Sequence, residues 1–291
     1  MLPSGNKGTA LVAGGQGHSP CPHSLRVGGA VSLFFDGEMV MADEKTFEKR
    51  IENAYEACIA DRNTANSRAL SWEHCIARFA PVFEDLKSGK IKYEKISDEK
   101  IDSLSLHLGF FLASWGMMRG STDLLQYDYK VHIPAVKIIL RHHSLYGLDL
   151  NALCEQKDTE FSELCNDIRK AYTEKQKRPF NNVTNTLASK IIMGTFGITP
   201  AYDDFVTKTL REYKIASGTF GVNSLKKLSE HFSANFKNEV DGLLRELQKA
   251  DKPADSESKY YTRAKVIDML LWNVGKEIAK ERDEAKKKNK E

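Results

Sequence analysis

Apolar residues recur at helical spacing along most of this chain, and no stretch alternates with period two over the length of a strand. Phe47, Ile51, Tyr55 and Cys58 fall at i, i+4, i+8 and i+11, which is one helical face. Ser71 can cap a helix whose inner face is Trp72, Cys75 or Ile76, and Phe79, interrupted at Pro81. Ser97 caps a stronger one, with Asp98 and Glu99 in its first turn. The apolar positions from Ile101 to Trp115 cover more than half its circumference, which predicts a central helix. Pro134 suits the first turn of the next helix, through Leu140, and Phe161 to Tyr172 gives another face. Ser224 opens one long helix with a stripe from Leu225 through Phe236 to Leu247. After a polar linker, Lys252 to Ser258, a last helix carries Val266 to Ile278 and frays into a Lys-rich end. The pattern predicts an all-α, multi-helix globular domain of nine or ten helices, without an internal repeat of 20–50 residues.

The 291 residues suffice for one large domain or two small ones, and a net charge of +3 announces no nucleic-acid partner by itself. No apolar run approaches the ~18 residues a membrane helix needs, so no membrane partner is expected. Five scattered cysteines without a CxxC point to buried thiols in a reducing, cytoplasmic compartment and to no metal site. Residues 1–40 are glycine-rich and nearly uncharged, and from Ala42 the pattern turns to charged helix. That segment is expected to be a disordered tail or to precede a start at Met39 or Met41. Residues 41–280 are expected to form one all-α catalytic domain, as a single body or as two helical lobes flanking a cleft. Residues 281–291 are expected to be a basic frayed tail.

The chemistry concentrates between Asn181 and Tyr213. A small-residue and apolar helix, Thr186 to Phe196, stops at Gly197. Thr199 and Pro200 then suit the N-cap and first position of a second helix, which puts Asp203 and Asp204 in its first turn. The helix dipole favours their ionised forms there. A carboxylate so held can stabilise developing positive charge and orient a water, as cleavage of a glycosidic C–N bond requires. On spacing alone, the pair equally serves to stabilise a helix start.

Phe196-Gly197, Pro200, Asp203, Val206 and Lys208 together resemble the helix-hairpin-helix DNA glycosylases over about 35 residues. The resemblance implies a helix-hairpin-helix-like element, double-stranded DNA as partner, no cofactor, and a monomer. It implies Asp203 as the catalytic carboxylate, with Asp204 as the alternate. The family's glycine-rich hairpin corresponds here to Arg178-Pro179-Phe180-Asn181-Asn182-Val183, where Asn tolerates a left-handed turn. Lys175, Lys177, Arg178, Asn181, Asn182, Thr184 and Lys208 are the candidate DNA-backbone contacts. The lysine of the strand-cleaving members would fall near Thr184, and Lys190 stands too far along the helix. A monofunctional hydrolase without lyase chemistry is therefore implied.

Such an enzyme grips a flipped base in an aromatic and polar pocket. The segment leaving the strong helix supplies Trp115, Arg119, Ser121, Gln126, Tyr127 and Asp128, and Tyr202 lies beside the aspartates. Trp115 and Trp272 also read as core residues on their helix stripes. The excised base is not legible. A modified base of phage DNA, such as glucosylated hydroxymethylcytosine removed in anti-phage defence, would need a wide, polar pocket. Two other readings stay open: a non-catalytic helical DNA-binding or protein-interaction module, and a helical enzyme acting on a small nucleoside.

Overall fold

The computed structural model describes residues 32–64, 67–119, 123–174, 180, 183–249 and 259–288, with side chains from residue 46 onward. The chain divides between Met41 and Ala42, and residues 42–291 form one unit. Of the glycine-rich segment, residues 32–40 are helical and residues 1–31 lie outside the described residues.

Among the described residues there are eleven α-helices, several short 3-10 turns and no strand. The helices are α1 (Ser32–Arg62), α2 (Ala69–Lys87), α3 (Asp98–Ser114), α4 (Ile133–Arg141), α5 (Leu150–Gln156) and α6 (Asp158–Thr173). They continue as α7 (Asn185–Phe196), α8 (Asp204–Glu212), α9 (Val222–Asn235), α10 (Lys237–Gln248) and α11 (Arg263–Lys288). No helix among the described residues is long and apolar enough to cross a membrane. The cysteines Cys58, Cys75, Cys154 and Cys165 are buried free thiols.

The helix at the centre is α7, not α3. Every residue of α7 from Leu187 to Phe196 is buried, the polar Ser189, Lys190 and Thr195 included. Its small residues permit this close packing. A Cβ on Gly194 would lie 2.3 Å from the Phe111 ring of α3. Phe196 stacks on Phe83 of α2 with ring centroids 4.7 Å apart. By contrast, α3 leaves Leu106 and Phe110 about half exposed. Its wide apolar face thus covers one side of the core rather than threading it.

Ser97 caps α3 as expected, accepting from the Lys100 N–H at 3.2 Å. Ser71 does not cap α2. The helix starts at Ala69, whose N–H donates to Ser67 Oγ, while Ser71 donates to the Arg68 carbonyl. Pro81 does not interrupt α2, because the apolar stripe runs on through Val82, Phe83 and Leu86 and holds the final turns in the core. The long helix expected from Ser224 to Leu247 is broken at Phe236, where φ −132° leaves the helical range. The Phe236 ring packs there against Phe47 and Phe232. The Lys-rich C-terminal stretch is helical to Lys288 rather than frayed. Lys286 pairs with Asp283 at 3.3 Å and Arg282 with Glu212 of α8 at 2.5 Å, which supports the last turns.

Candidate functional site

Two helices fix the place of interest. The αL conformation of Gly197 (φ 68°) ends α7, and its N–H bonds back to the Met193 carbonyl. The connector to α8 is then held by side chains of other elements. Ala201 N–H donates to Asp268 Oδ1 at 2.9 Å, and Tyr202 N–H donates to Ser189 Oγ at 2.8 Å. Thr186 Oγ1 donates to the Tyr202 carbonyl at 2.9 Å, and Thr262 Oγ1 donates to the Gly197 carbonyl. Thr199 is not the N-cap. It is fully buried inside the connector. Asp203 takes that role instead, in extended backbone, accepting from the Val206 N–H at 3.2 Å. The reason is that α8 starts four residues after Pro200, so Pro200 presets the connector rather than the first turn.

Helix α8 lies against α11 at Gly275, where a Cβ would come within 2.3 Å of the Phe205 carbonyl oxygen. This approach seats the first turn of α8 beside a cleft of about 960 Å³. Asp203, Asp204 and Lys208 line it from one side and Trp115, Met118 and Arg119 from another. Lys190, Arg68 and Trp272 complete the wall. Pockets of this size accept drug-sized ligands.

The two aspartates differ in surroundings. Asp204 is exposed. The Asp203 side chain is 14% exposed, with Lys190 Nζ at 3.8 Å from its Oδ2. Burial raises the Asp203 pKa above the ordinary carboxylate value, and the Lys190 charge and the α8 N–H groups pull it partly back. Burial lowers the Lys190 pKa, opposed by Asp203 and Asp268. The ammonium donates to the Trp115 carbonyl at 2.8 Å. The result is a carboxylate with raised proton affinity beside a fixed cation.

A second buried pair stands behind the first. Lys265 Nζ lies 2.8 Å from Asp268 Oδ2, with side chains 1% and 2% exposed. The same ammonium sits 4.3 Å from the centroid of the Trp115 ring. The contacts therefore close a loop. It runs from Asp203 through Lys190 to Trp115, then through Lys265 and Asp268 to the Ala201 N–H, two residues before Asp203.

Several expected positions fall elsewhere. Tyr202 is turned into the core, where its hydroxyl donates to Ser224 Oγ at 2.9 Å and its ring packs on Phe220. Gln126 is exposed and Tyr127 packs on Phe180. Asp128 caps a 3-10 turn through the Lys130 N–H. None of the three lines the cleft. Thr184 lines the cleft but spends its hydroxyl as the N-cap of α7. Ser121, Lys175, Lys177, Arg178, Asn181 and Asn182 lie outside the described residues, and so does most of the expected hairpin.

Other residues at the site were not read as such from the sequence. Lys190, set aside for its place along the helix, stands beside Asp203, since one face of α7 looks into the cleft. Trp272, read as core, is half-buried in the cleft wall. Arg68 and the Lys265–Asp268 pair carried no signal beyond an ordinary charged helix position. No family model matches this chain, and no curated protein or solved structure matches it.

Proposed function

We propose that the protein is a DNA glycosylase that hydrolyses the N-glycosidic bond of a flipped, modified base and leaves an abasic site. The observation that carries this reading is Asp203. It is a desolvated carboxylate capping α8, paired with Lys190, in the wall of a cleft wide enough for a nucleotide. The C–N bond lengthens as positive charge develops on the deoxyribose, and the Asp203 carboxylate stabilises that charge. A water attacks C1′ and passes its proton to Asp203, while the base departs with the bonding electrons and is protonated from solvent. The cationic side chains of Arg119 and Lys208 on the cleft wall suit the flanking phosphates.

Strand cleavage is not part of the reading. The one amine described beside Asp203, Lys190, is held by its hydrogen bond to the Trp115 carbonyl and its pairing with Asp203, away from a role in attack on the sugar. Incubation with unmodified, hydroxymethylated and glucosylated phage DNA, scoring abasic sites and strand breaks, tests both points. Abasic sites without breaks on a modified DNA are expected, consistent with a role in anti-phage defence. Absence of abasic sites on all three overturns the enzyme reading. Trapping of a protein–DNA adduct by borohydride overturns the hydrolytic one.

A further inference from the structure

The cleft that holds Asp203 has a neighbour, a second cavity of about 440 Å³ bounded by Asp61, Cys58, Asn273 and Lys276. Arg68, Trp115 and Trp272 line both. These three side chains form the partition. The guanidinium carbon of Arg68 lies 5.2 Å from the centroid of the Trp115 ring and 5.1 Å from that of Trp272. A flat cation thus sits over two indoles. Arg68 is exposed, and among the described residues its guanidinium has no carboxylate pairing and no hydrogen bond. Ring attraction of this kind is weak at an exposed site and is readily exchanged for another flat group.

We infer that Arg68 occupies a stacking slot between Trp115 and Trp272 that receives a heteroaromatic ring, and that the second cavity takes a hydroxyl-rich substituent on that ring. Base-on-indole stacking is a stronger and equally sequence-tolerant contact than the one it replaces. The cavity behind the slot is walled in part by Ala57, Ala69 and Met269 and also carries polar groups. Asp61 supplies a carboxylate there, already accepting from Ser67 at 3.0 Å. Asn273 uses its amide N–H groups on the Met269 carbonyl and Cys58 Sγ, which leaves its carbonyl oxygen directed to other donors. Lys276 supplies an ammonium, held 5.3 Å from the Trp272 centroid. Two acceptors and a donor on one cavity wall suit a sugar. A plain methyl or an unsubstituted base would leave those groups to solvent rather than to the ligand.

This inference deepens the glycosylase reading and rests on it for the delivery of the base, but the slot is testable without DNA. The protein has three tryptophans, so nucleoside binding is read by quenching of their fluorescence. Glucosylated 5-hydroxymethyldeoxycytidine is expected to quench the wild type and not Trp272→Ala. No quenching of the wild type by that nucleoside overturns the inference. Quenching without any binding of duplex DNA overturns the DNA reading and leaves the slot standing. In duplexes, Asp203→Asn protein prevents turnover. Adding Trp272→Ala is expected to weaken a duplex carrying the glucosylated base about 5- to 100-fold, with a tetrahydrofuran abasic-analogue duplex unchanged. Equal weakening of both overturns the slot. Asn273→Leu with Lys276→Met is expected to abolish preference for the glucosylated over the unmodified base. Retained preference overturns the substituent site. Arg68→Ala is expected to bind base-bearing duplexes as well as or better than the parent. A selective loss would make Arg68 a recognition group and overturn its role as an occupant.

Discussion

Asp203 caps α8, and the proposed reaction gives its charge a second task that one substitution separates from the first. Asparagine caps a helix about as well as aspartate, so Asp203→Asn keeps the start of α8 while removing the charge. Its glycosylase rate is expected to fall by about 10²- to 10⁴-fold in a single-turnover assay, with the helical circular dichroism unchanged. Asp204→Asn, on an exposed residue, is expected to stay within a few-fold of wild type; equal losses in both variants would remove the distinction. The acid limb of the pH–rate profile should lie above the ordinary carboxylate range, because burial raises the Asp203 pKa and the proposed step needs its ionised form. Lys190 pulls that value down, so Lys190→Met should move the limb further up in pH. An unmoved limb would show that the pair is not coupled in solution. The place of Asp203 at the start of α8 was legible because its neighbours in sequence, Pro200 and Val206, frame it. Lys190, Arg68 and Trp272 were not, because each acquires its role from a partner far along the chain. Trp115, for instance, is 75 residues from the lysine that bonds its carbonyl.

At the scale of elements, the position of the carboxylate depends on how α8 meets α11. Gly275→Ala places a methyl group against the Phe205 carbonyl, and backbone cannot yield as a side-chain end does. The variant is expected to lose about 1–3 kcal/mol in urea unfolding. Its activity should fall by more than that loss explains, since a shift of about 1 Å at a reacting group can cost ~10²-fold. Unchanged activity in a folded Gly275→Ala would show that the first turn of α8 is not held there. The ends of helices were the readable part of these elements. Ser97, Pro134 and Gly197 act through local backbone chemistry, and each stands where the sequence placed it. The break at Phe236 and the passage of α2 through Pro81 were unreadable, since packing across the molecule decides both. The same holds for α3 and α7. Hydrophobic breadth favoured α3, whereas the small residues of α7 allow neighbours to close on every side.

Across the whole molecule, one buried base contributes strongly to the response to acid. His132 is fully buried, bonded through Nδ1 to the Tyr172 hydroxyl at 2.8 Å, with no partner at Nε2 among the described residues. Burial pushes its pKa down from 6.5 to about 4. Unfolded chains therefore take up a proton at pH values where the fold refuses it. Stability is full above about pH 6.5 and falls as the pH drops toward about 4, by roughly 3 kcal/mol in all. Chemical denaturation at pH 7 and pH 4.5 should show this loss, and His132→Gln should flatten it. A wild-type stability that is level over that range would exclude His132 as its source.

The loop of contacts joining Asp203 to Trp115 also couples the proposed slot to a proton. Arg68 is one of two cations, with Lys265, that lower the proton affinity of Lys190, against the opposing pull of Asp203 and Asp268. A ring that displaces Arg68 removes part of that repulsion, so Lys190 holds its proton more firmly when the slot is filled. Linkage then runs in both directions. Occupation of the slot draws protons from solution as the pH approaches the Lys190 titration, and affinity declines as the pH rises through it. Calorimetric titrations in two buffers of different ionisation heat should therefore give different apparent enthalpies at alkaline pH, and identical enthalpies would sever the slot from the lysine.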